Sequence, residues 1–251
     1  MRQKKASDFI YGTRVIIEAI EADKEIDKLL IQRDLSNDNG LTSELLKLCS
    51  ERKIPFQKVP LEKLNRVTRK NHQGALAFIS PVPFASLDNI ISEVYGNGDS
   101  PLLLILDRVT DVRNFGAIAR TAECAGVHGI IIPSRGSAQI GSDAMKTSAG
   151  ALNYMPVVRS MNLKETIKEV QNNGIQVVAC TEKAIDDLYH QDFTGPTAFL
   201  MGSEEEGISP EYLKMVDQKA KLPTAGSIDS LNVSVASAVF IYEAVRQRAK
   251  S

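Results

Sequence analysis

The chain has 251 residues, 43% of them hydrophobic, and a formal net charge of −1, so it can bury roughly 70–75% of its unfolded surface in one large core or two modest ones. That near-neutral balance gives no bulk signature of a polyanion-binding protein. Cys49, Cys124 and Cys180 are too few and too scattered for a disulfide framework, and the longest aliphatic runs are strand-sized, which excludes a bilayer-spanning segment.

From residue 1 to 80 the hydrophobic pattern alternates between helix and strand: an amphipathic stretch at 15–22, a strand at 28–32, a helix at 42–52, and strands at 56–59 and 75–79. This predicts a small α/β unit. Met1-Arg-Gln-Lys-Lys is basic but is not followed by the apolar stretch of about 7–15 residues that a secretory signal needs, so reduced thiols and a cytoplasmic location are expected. Charge is locally uneven. Between Arg52 and Lys70 seven basic side chains stand against the single acid Glu62. Such a strip is either a phosphate-contacting surface or an ordinary solvated helix face.

Pro81-Val82-Pro83 breaks the pattern, a helical stretch follows at 87–95, and Gly96-Asn97-Gly98-Asp99-Ser100-Pro101 breaks it again, which predicts a linker over 81–100. Beyond it, strands are expected at 102–106, 129–132, 175–180, 198–201 and 219–222. Helices are expected at 115–125, closed by Gly126, and at 143–149, 163–172, 210–216 and 230–249. Strands alternating with helices predict a mostly parallel sheet covered on both faces. No Gly-x-Gly-x-x-Gly follows any strand, which weakens a dinucleotide-binding reading. His72, His128 and His190 never fall at metal-ligand spacing, so no metal site is expected.

Three polar clusters begin where expected strands end, which is where open α/β sheets collect ligands. In the first, Asn114 stands at a loop-to-helix junction as a candidate cap, with Arg120 about a turn and a half later, available to an anion. An N-cap plus a surface arginine explains the same residues. In the second, Gly202-Ser203-Glu204-Glu205-Glu206-Gly207, the flanking glycines imply a close backbone approach. Three adjacent carboxylates call for a nearby cation or donor, Arg120 among the candidates. In the third, Ser230-Leu231-Asn232 opens the last helix; capping accounts for Ser230 or Asp229 but leaves Asn232 in want of a partner.

In this order the clusters resemble the SpoU (TrmH) branch of the SPOUT methyltransferases, over residues 102–242. The resemblance implies transfer of a methyl group from S-adenosylmethionine to a ribose 2′-hydroxyl of RNA. It makes Asn114, Arg120, Glu204, Ser230 and Asn232 the catalytic set, and Gly202, Leu222, Pro223 and Leu231 cofactor contacts, with Thr181 near them. It also implies a C-terminal trefoil knot, a homodimer and no metal. This chain has Asp111-Val112-Arg113-Asn114 where Pro and Asn usually follow the Asp.

Phe9-Ile10-Tyr11-Gly12 and Asn71-His72-Gln73-Gly74-Ala75 resemble the N-terminal substrate-binding domain of one SpoU branch, an α/β unit like a ribosomal RNA-binding protein. The expected layout is an RNA-binding domain over 1–80, a linker over 81–100 and the knotted methyltransferase domain over 101–251. That branch points to a guanosine of large-subunit 23S rRNA, with Lys53, Lys58, Arg66, Arg69 and Lys70 on its phosphates. A tRNA ribose methyltransferase of the same family and a non-catalytic RNA-binding assembly factor remain the alternatives.

Overall fold

The computed structural model describes residues 9–35, 40–227 and 230–249. The chain forms two compact units, one comprising the residues up to Pro83 with Gln139–Ser142, the other Phe84–Ala138 with the chain from Asp143 onward.

The first unit runs β1 (Phe9–Tyr11), α1 (Thr13–Glu21), β2 (Ile26–Gln32), α2 (Leu41–Glu51), β3 (Phe56–Val59), α3 (Leu61–Val67) and β4 (Ala75–Ile79). Its sheet has the order β1-β4-β2-β3, with β4 antiparallel to both neighbours and β2 parallel to β3. Ile16, Ile17 and Ile20 give α1 a buried stripe that closes, with Leu45 and Cys49 of α2, on Leu29, Ile31, Ala75 and Ala77. Each fully buried Ile or Leu contributes about 1.5–3 kcal/mol. The sheet's other face carries a smaller cluster of Leu30, Val59 and Leu76 under Leu64 of α3. Neither β1 nor α3 was expected. The first is only three residues long, and the apolar spacing Leu61, Leu64, Val67 of the second is masked by the charges around it.

The second unit carries α4 (Leu87–Gly96), β5 (Leu102–Leu106), α5 (Val112–Cys124), β6 (Gly129–Pro133), α6 (Ser142–Thr147), β7 (Val157–Ser160), α7 (Leu163–Asn172), β8 (Gln176–Cys180), β9 (Thr197–Met201), α8 (Pro210–Leu213), β10 (Gln218–Ala220) and α9 (Val233–Arg248). All its strand pairs are parallel, in the order β10-β8-β9-β5-β6-β7. Every residue of β5 and of β9 is buried, as expected of strands covered on both faces. Much of the expected linker belongs here instead. Phe84 bridges Val157, its ring lies 4.0 Å from the Arg159 guanidinium carbon, and Leu87, Ile90, Ile91 and Val94 of α4 are buried in this unit's core. β7 was not expected, because only Val157 and Val158 mark it.

The chain builds β6 and β7 to one side of β5, then crosses to lay β8, β9 and β10 on the other. The order therefore reverses between β5 and β9, and the crevice at their carboxyl ends is where such sheets bind ligands. α9 is seated by Phe240, which packs edge-on to Phe199 at 5.5 Å. At its far end Arg248 donates to the carbonyls of Ser100, Pro101, Phe193 and Gly195. Among the described residues no helix is long and apolar enough to cross a membrane, and no group of three or more His, Cys, Asp or Glu side chains could hold a metal ion.

Candidate active site

β5 ends at Leu106, and α5 starts three residues earlier than the hydrophobic pattern predicts because Asp111, not Asn114, caps it. The Asp111 carboxylate accepts from the backbone N–H of Arg113 at 2.7 Å and of Asn114 at 3.1 Å. Those bonds, the Asn114 N–H foremost, hold its pKa below the usual carboxylate value. Asn114 is thereby relieved of capping and offers its side chain to the crevice. The other end of α5 closes as expected, with Gly126 at φ 73° beyond Ala125.

The third cluster is arranged differently from its sequence reading. Ser230 does not cap α9, Asp229 lies outside the described residues, and Asn232 is itself the cap. Its Oδ1 accepts from the N–H of Ser234 at 2.9 Å and from the Ser234 hydroxyl at 2.6 Å. Its Nδ2 donates to Asn114 Oδ1 at 3.1 Å and to Glu204 Oε1 at 2.5 Å. An amide has two donor hydrogens and two acceptor lone pairs, and all four are used. A flipped amide would set its oxygen against the Glu204 carboxylate and its NH2 against the Ser234 N–H, so the orientation is fixed by the partners.

Between β9 and α8 the 202–209 loop closes on itself. Ser203 and Gly207 exchange backbone hydrogen bonds of 3.1 and 3.0 Å. A Cβ on Gly202 would stand 2.2 Å from the Gly207 carbonyl carbon. The close approach that the two glycines imply is therefore between the two ends of this loop. The cation that its carboxylates call for is Arg108. Its guanidinium reaches Glu206, the Gly207 carbonyl at 3.2 Å and Asp107 at 3.1 Å. Asp107, 2% exposed, in turn accepts from the Ser209 N–H and hydroxyl, both at 2.7 Å. This pair at the end of β5 pins both flanks of the acidic turn, although Arg108 sits at φ 58°, a left-handed conformation that costs a non-glycine residue about 1–2 kcal/mol. Sequence reasoning missed both residues; the signal was an arginine beside an aspartate in the loop after a fully apolar strand.

Beside this junction lies a cavity of about 370 Å3 at the carboxyl ends of β8, β9 and β10, lined by Thr181, Gly202, Glu204, Leu222, Ser230 and Leu231 and floored by Met201, Val233 and Phe240. A second, of about 570 Å3, opens on the other side of Glu204, between Thr110, Asp111, Asn114 and Val233. Glu204 and Val233 border both. Pro223 lines a neighbouring hollow with Leu222 and Lys221.

Asn114, Glu204 and Asn232 thus meet, with Ser230, Gly202, Leu222 and Leu231 around the adjoining cavity. Arg120 does not join them. It is exposed on α5, lines none of these cavities and has no hydrogen-bond or ion-pair partner among the described residues. In the first unit Lys53, Lys58, Arg66, Arg69 and Lys70 are all exposed but do not share one face. Lys58 pairs with Ile31 in the register and emerges on the α1–α2 side, whereas Lys70 lies over the Tyr11 ring at 5.9 Å, on the α3 side.

Residues 101–242 match the SpoU rRNA Methylase family, and residues 9–85 match the RNA 2′-O ribose methyltransferase substrate-binding family. YacO of Bacillus subtilis, named for the TrmH family of tRNA/rRNA methyltransferases, is 34% identical over 96% of each chain. The 23S rRNA (guanosine-2′-O-)-methyltransferase RlmB of Photobacterium profundum is 35% identical over 97% of this chain and 99% of that one. The crystal structure of the SpoU methyltransferase AviRb from Streptomyces viridochromogenes in complex with AdoMet superposes with a TM-score of 0.61 at 28% identity, covering 97% of this chain and 91% of that one. Fold and matches together define an RNA methyltransferase. The chain belongs to the SpoU rRNA methylase family.

Proposed function

We propose that the chain transfers the methyl group of S-adenosylmethionine to a ribose 2′-hydroxyl of RNA, with a guanosine of large-subunit 23S rRNA as its target. The observation that carries this reading is the junction of Asn114, Glu204 and Asn232 at the carboxyl ends of β5 and β9, between two cavities. One cavity suits the cofactor and the other the sugar. The first has an apolar floor of Met201, Val233 and Phe240 and a carboxylate rim, Glu204 to Glu206, complementary to a sulfonium cation. When bound, S-adenosylmethionine supplies an electrophilic methyl group.

The chain's own residues then have to align and to neutralise. Glu204, clamped by Asn232 and by the Arg108 latch on its loop, borders both cavities, so a shift of its loop would disturb both at once. In-line displacement needs reacting atoms about 3–3.5 Å apart, and such positioning supplies much of the rate. Ser230 closes the cofactor side. Arg120 carries a guanidinium, which offers hydrogen-bond donors and no acceptor. It therefore does not serve as the proton acceptor in this reading. It pairs with the phosphate beside the target ribose and stabilises the developing alkoxide, while the proton leaves to that phosphate or to water.

Arg120 acts here on substrate held partly by the other subunit of a homodimer, which exposed apolar side chains support: Leu231, just before α9, and Val235 and Tyr242, seven residues apart on one side of that helix, are each about half exposed. The reading carries with it the family's trefoil knot, a cytoplasmic location and an RNA-binding first unit. A ribose of tRNA is the competing target within the same chemistry, favoured by the tRNA/rRNA name of YacO. Transfer of labelled methyl groups to 23S rRNA and tRNA transcripts separates the two. Labelling of tRNA alone would replace the rRNA target, and the absence of cofactor binding by calorimetry would remove the reaction altogether. An Arg120→Lys variant with full activity would remove the need for a planar guanidinium.

A further inference from the structure

The first unit has two unlike faces. Strand register places Tyr11, Leu76, Leu30 and Gln57 in one row across the sheet and Phe9, Phe78 and Lys28 in the next, all on the face away from α1 and α2. α3 covers one part of that face, where Leu64 packs on Leu30, Val59 and Leu76. Toward β1 the rings are left half-buried: Phe9 lies 6.3 Å from Tyr11 and 6.2 Å from Phe78, centroid to centroid. β1 is an edge strand, and apolar surface at a sheet edge is a liability for aggregation unless something uses it. Among the described residues, three lysines stand around these rings. Lys70 stands over Tyr11 at 5.9 Å, Lys63 donates to Gln57 beside them, and Lys28 is exposed in register with Phe78.

We propose that Phe9, Tyr11 and Phe78 form a stacking site for an unpaired base of the RNA substrate, with Lys28, Lys63 and Lys70 on the flanking phosphates. The proposal rests on the RNA reading of the preceding subsection and adds to it which face binds and what it binds. Aromatic rings on an open sheet face take splayed-out bases, and lysines beside them follow the backbone. The charge complements a polyanion, and the rings require a partner with a flat π-face, which a base in a closed duplex does not offer. Stacking also gives the basic strip a direction: the α3 side, with Lys63 and Lys70, faces the strand, and the α1–α2 side, with Lys58, does not.

The test compares an RNA hairpin with an open loop and a blunt RNA duplex of the same nucleotide count, bound to full-length protein. Tyr11→Leu and Phe78→Leu keep apolar volume but remove the ring; each is expected to weaken hairpin binding by about 5- to 150-fold, leaving duplex binding and cofactor binding unchanged. Lys47→Gln, on α2, is expected to change neither. Unchanged hairpin affinity in both ring variants, or an equal loss for hairpin and duplex, would overturn the proposal. Wild-type protein that binds neither RNA would overturn the RNA reading beneath it. Should the ring variants not fold, cross-linking of photoreactive uridine in the hairpin loop to wild-type protein decides the matter. Adducts on Phe9, Tyr11 or Phe78 support the site, and adducts confined to other residues sink it.

Discussion

Asn232 Nδ2 holds Glu204 Oε1 at 2.5 Å while Oδ1 of the same amide caps α9 through Ser234. One side chain thus fastens the acidic turn after β9 to the first turn of the last helix. Asn232→Asp separates the two tasks, because aspartate caps as well as asparagine but cannot donate. The variant is expected to keep its stability within about 1 kcal/mol, measured by thermal melting. It should lose about 10²-fold or more in methyl transfer, since a carboxylate now faces Glu204 and the loop withdraws.

Arg108 holds the same turn from the β5 side at the cost of a left-handed backbone. Glycine adopts that conformation without strain, so Arg108→Gly removes the latch and relieves the backbone together. Its stability is expected to change by less than about 1 kcal/mol. Amide hydrogen exchange at 203–207 should accelerate, and the cofactor dissociation constant should rise. A variant as tightly protected in that loop as wild type would deny Arg108 this positioning role.

Burial, together with the positive charge of Arg248, lowers the pKa of His128, whose Nδ1 accepts from the Leu102 N–H at 3.0 Å. The unfolded chain therefore takes up this proton more readily than the folded one. The resulting stability is complete above the ordinary histidine value of about 6.5 and is lost as pH falls through the lowered folded value. Melting temperature should fall on acidification below about pH 6.5. His128→Asn, which keeps an acceptor for Leu102 but does not titrate, should flatten that slope.

The three thiols differ in environment. Cys124 is exposed on α5, whereas burial pushes Cys49 up to about 11 and Cys180 well above its ordinary value. Because the thiolate is the reactive form, alkylation at neutral pH should label Cys124 first, with Cys49 reacting only on unfolding. Mass spectrometry of the modified peptides checks this order.

Much of the second unit was legible because strands such as 102–106 and 198–201 are wholly apolar and each leads into a polar cluster. Asn114, Glu204 and Asn232 could be read for the same reason: an amide or carboxylate in a loop of small residues has few local uses. What could not be read was which residue does which local task. Asp111 and Asn232 cap their helices in place of Asn114 and Ser230, because capping depends on where the helix begins, and a hydrophobic stripe locates that only to within a turn. Arg108 was hidden by distance. Its partner Glu206 lies 98 residues on, and only the parallel pairing of β5 with β9 brings them together. In the first unit Lys58 of the basic strip lies on one sheet face and Lys63 and Lys70 on the other once β3 is placed, which a count of charges does not convey.

The most direct test of the account uses the chemistry of the product, since methylating a 2′-hydroxyl makes the adjoining phosphodiester resistant to alkali. Unmodified 23S rRNA is incubated with S-adenosylmethionine and either wild-type protein or Asn232→Asp, hydrolysed with alkali and mapped. The account predicts one resistant bond, 3′ to a guanosine, that appears with wild type and is nearly absent with the variant. Methyl label recovered on a base, or a resistant bond equally strong with both proteins, would contradict it.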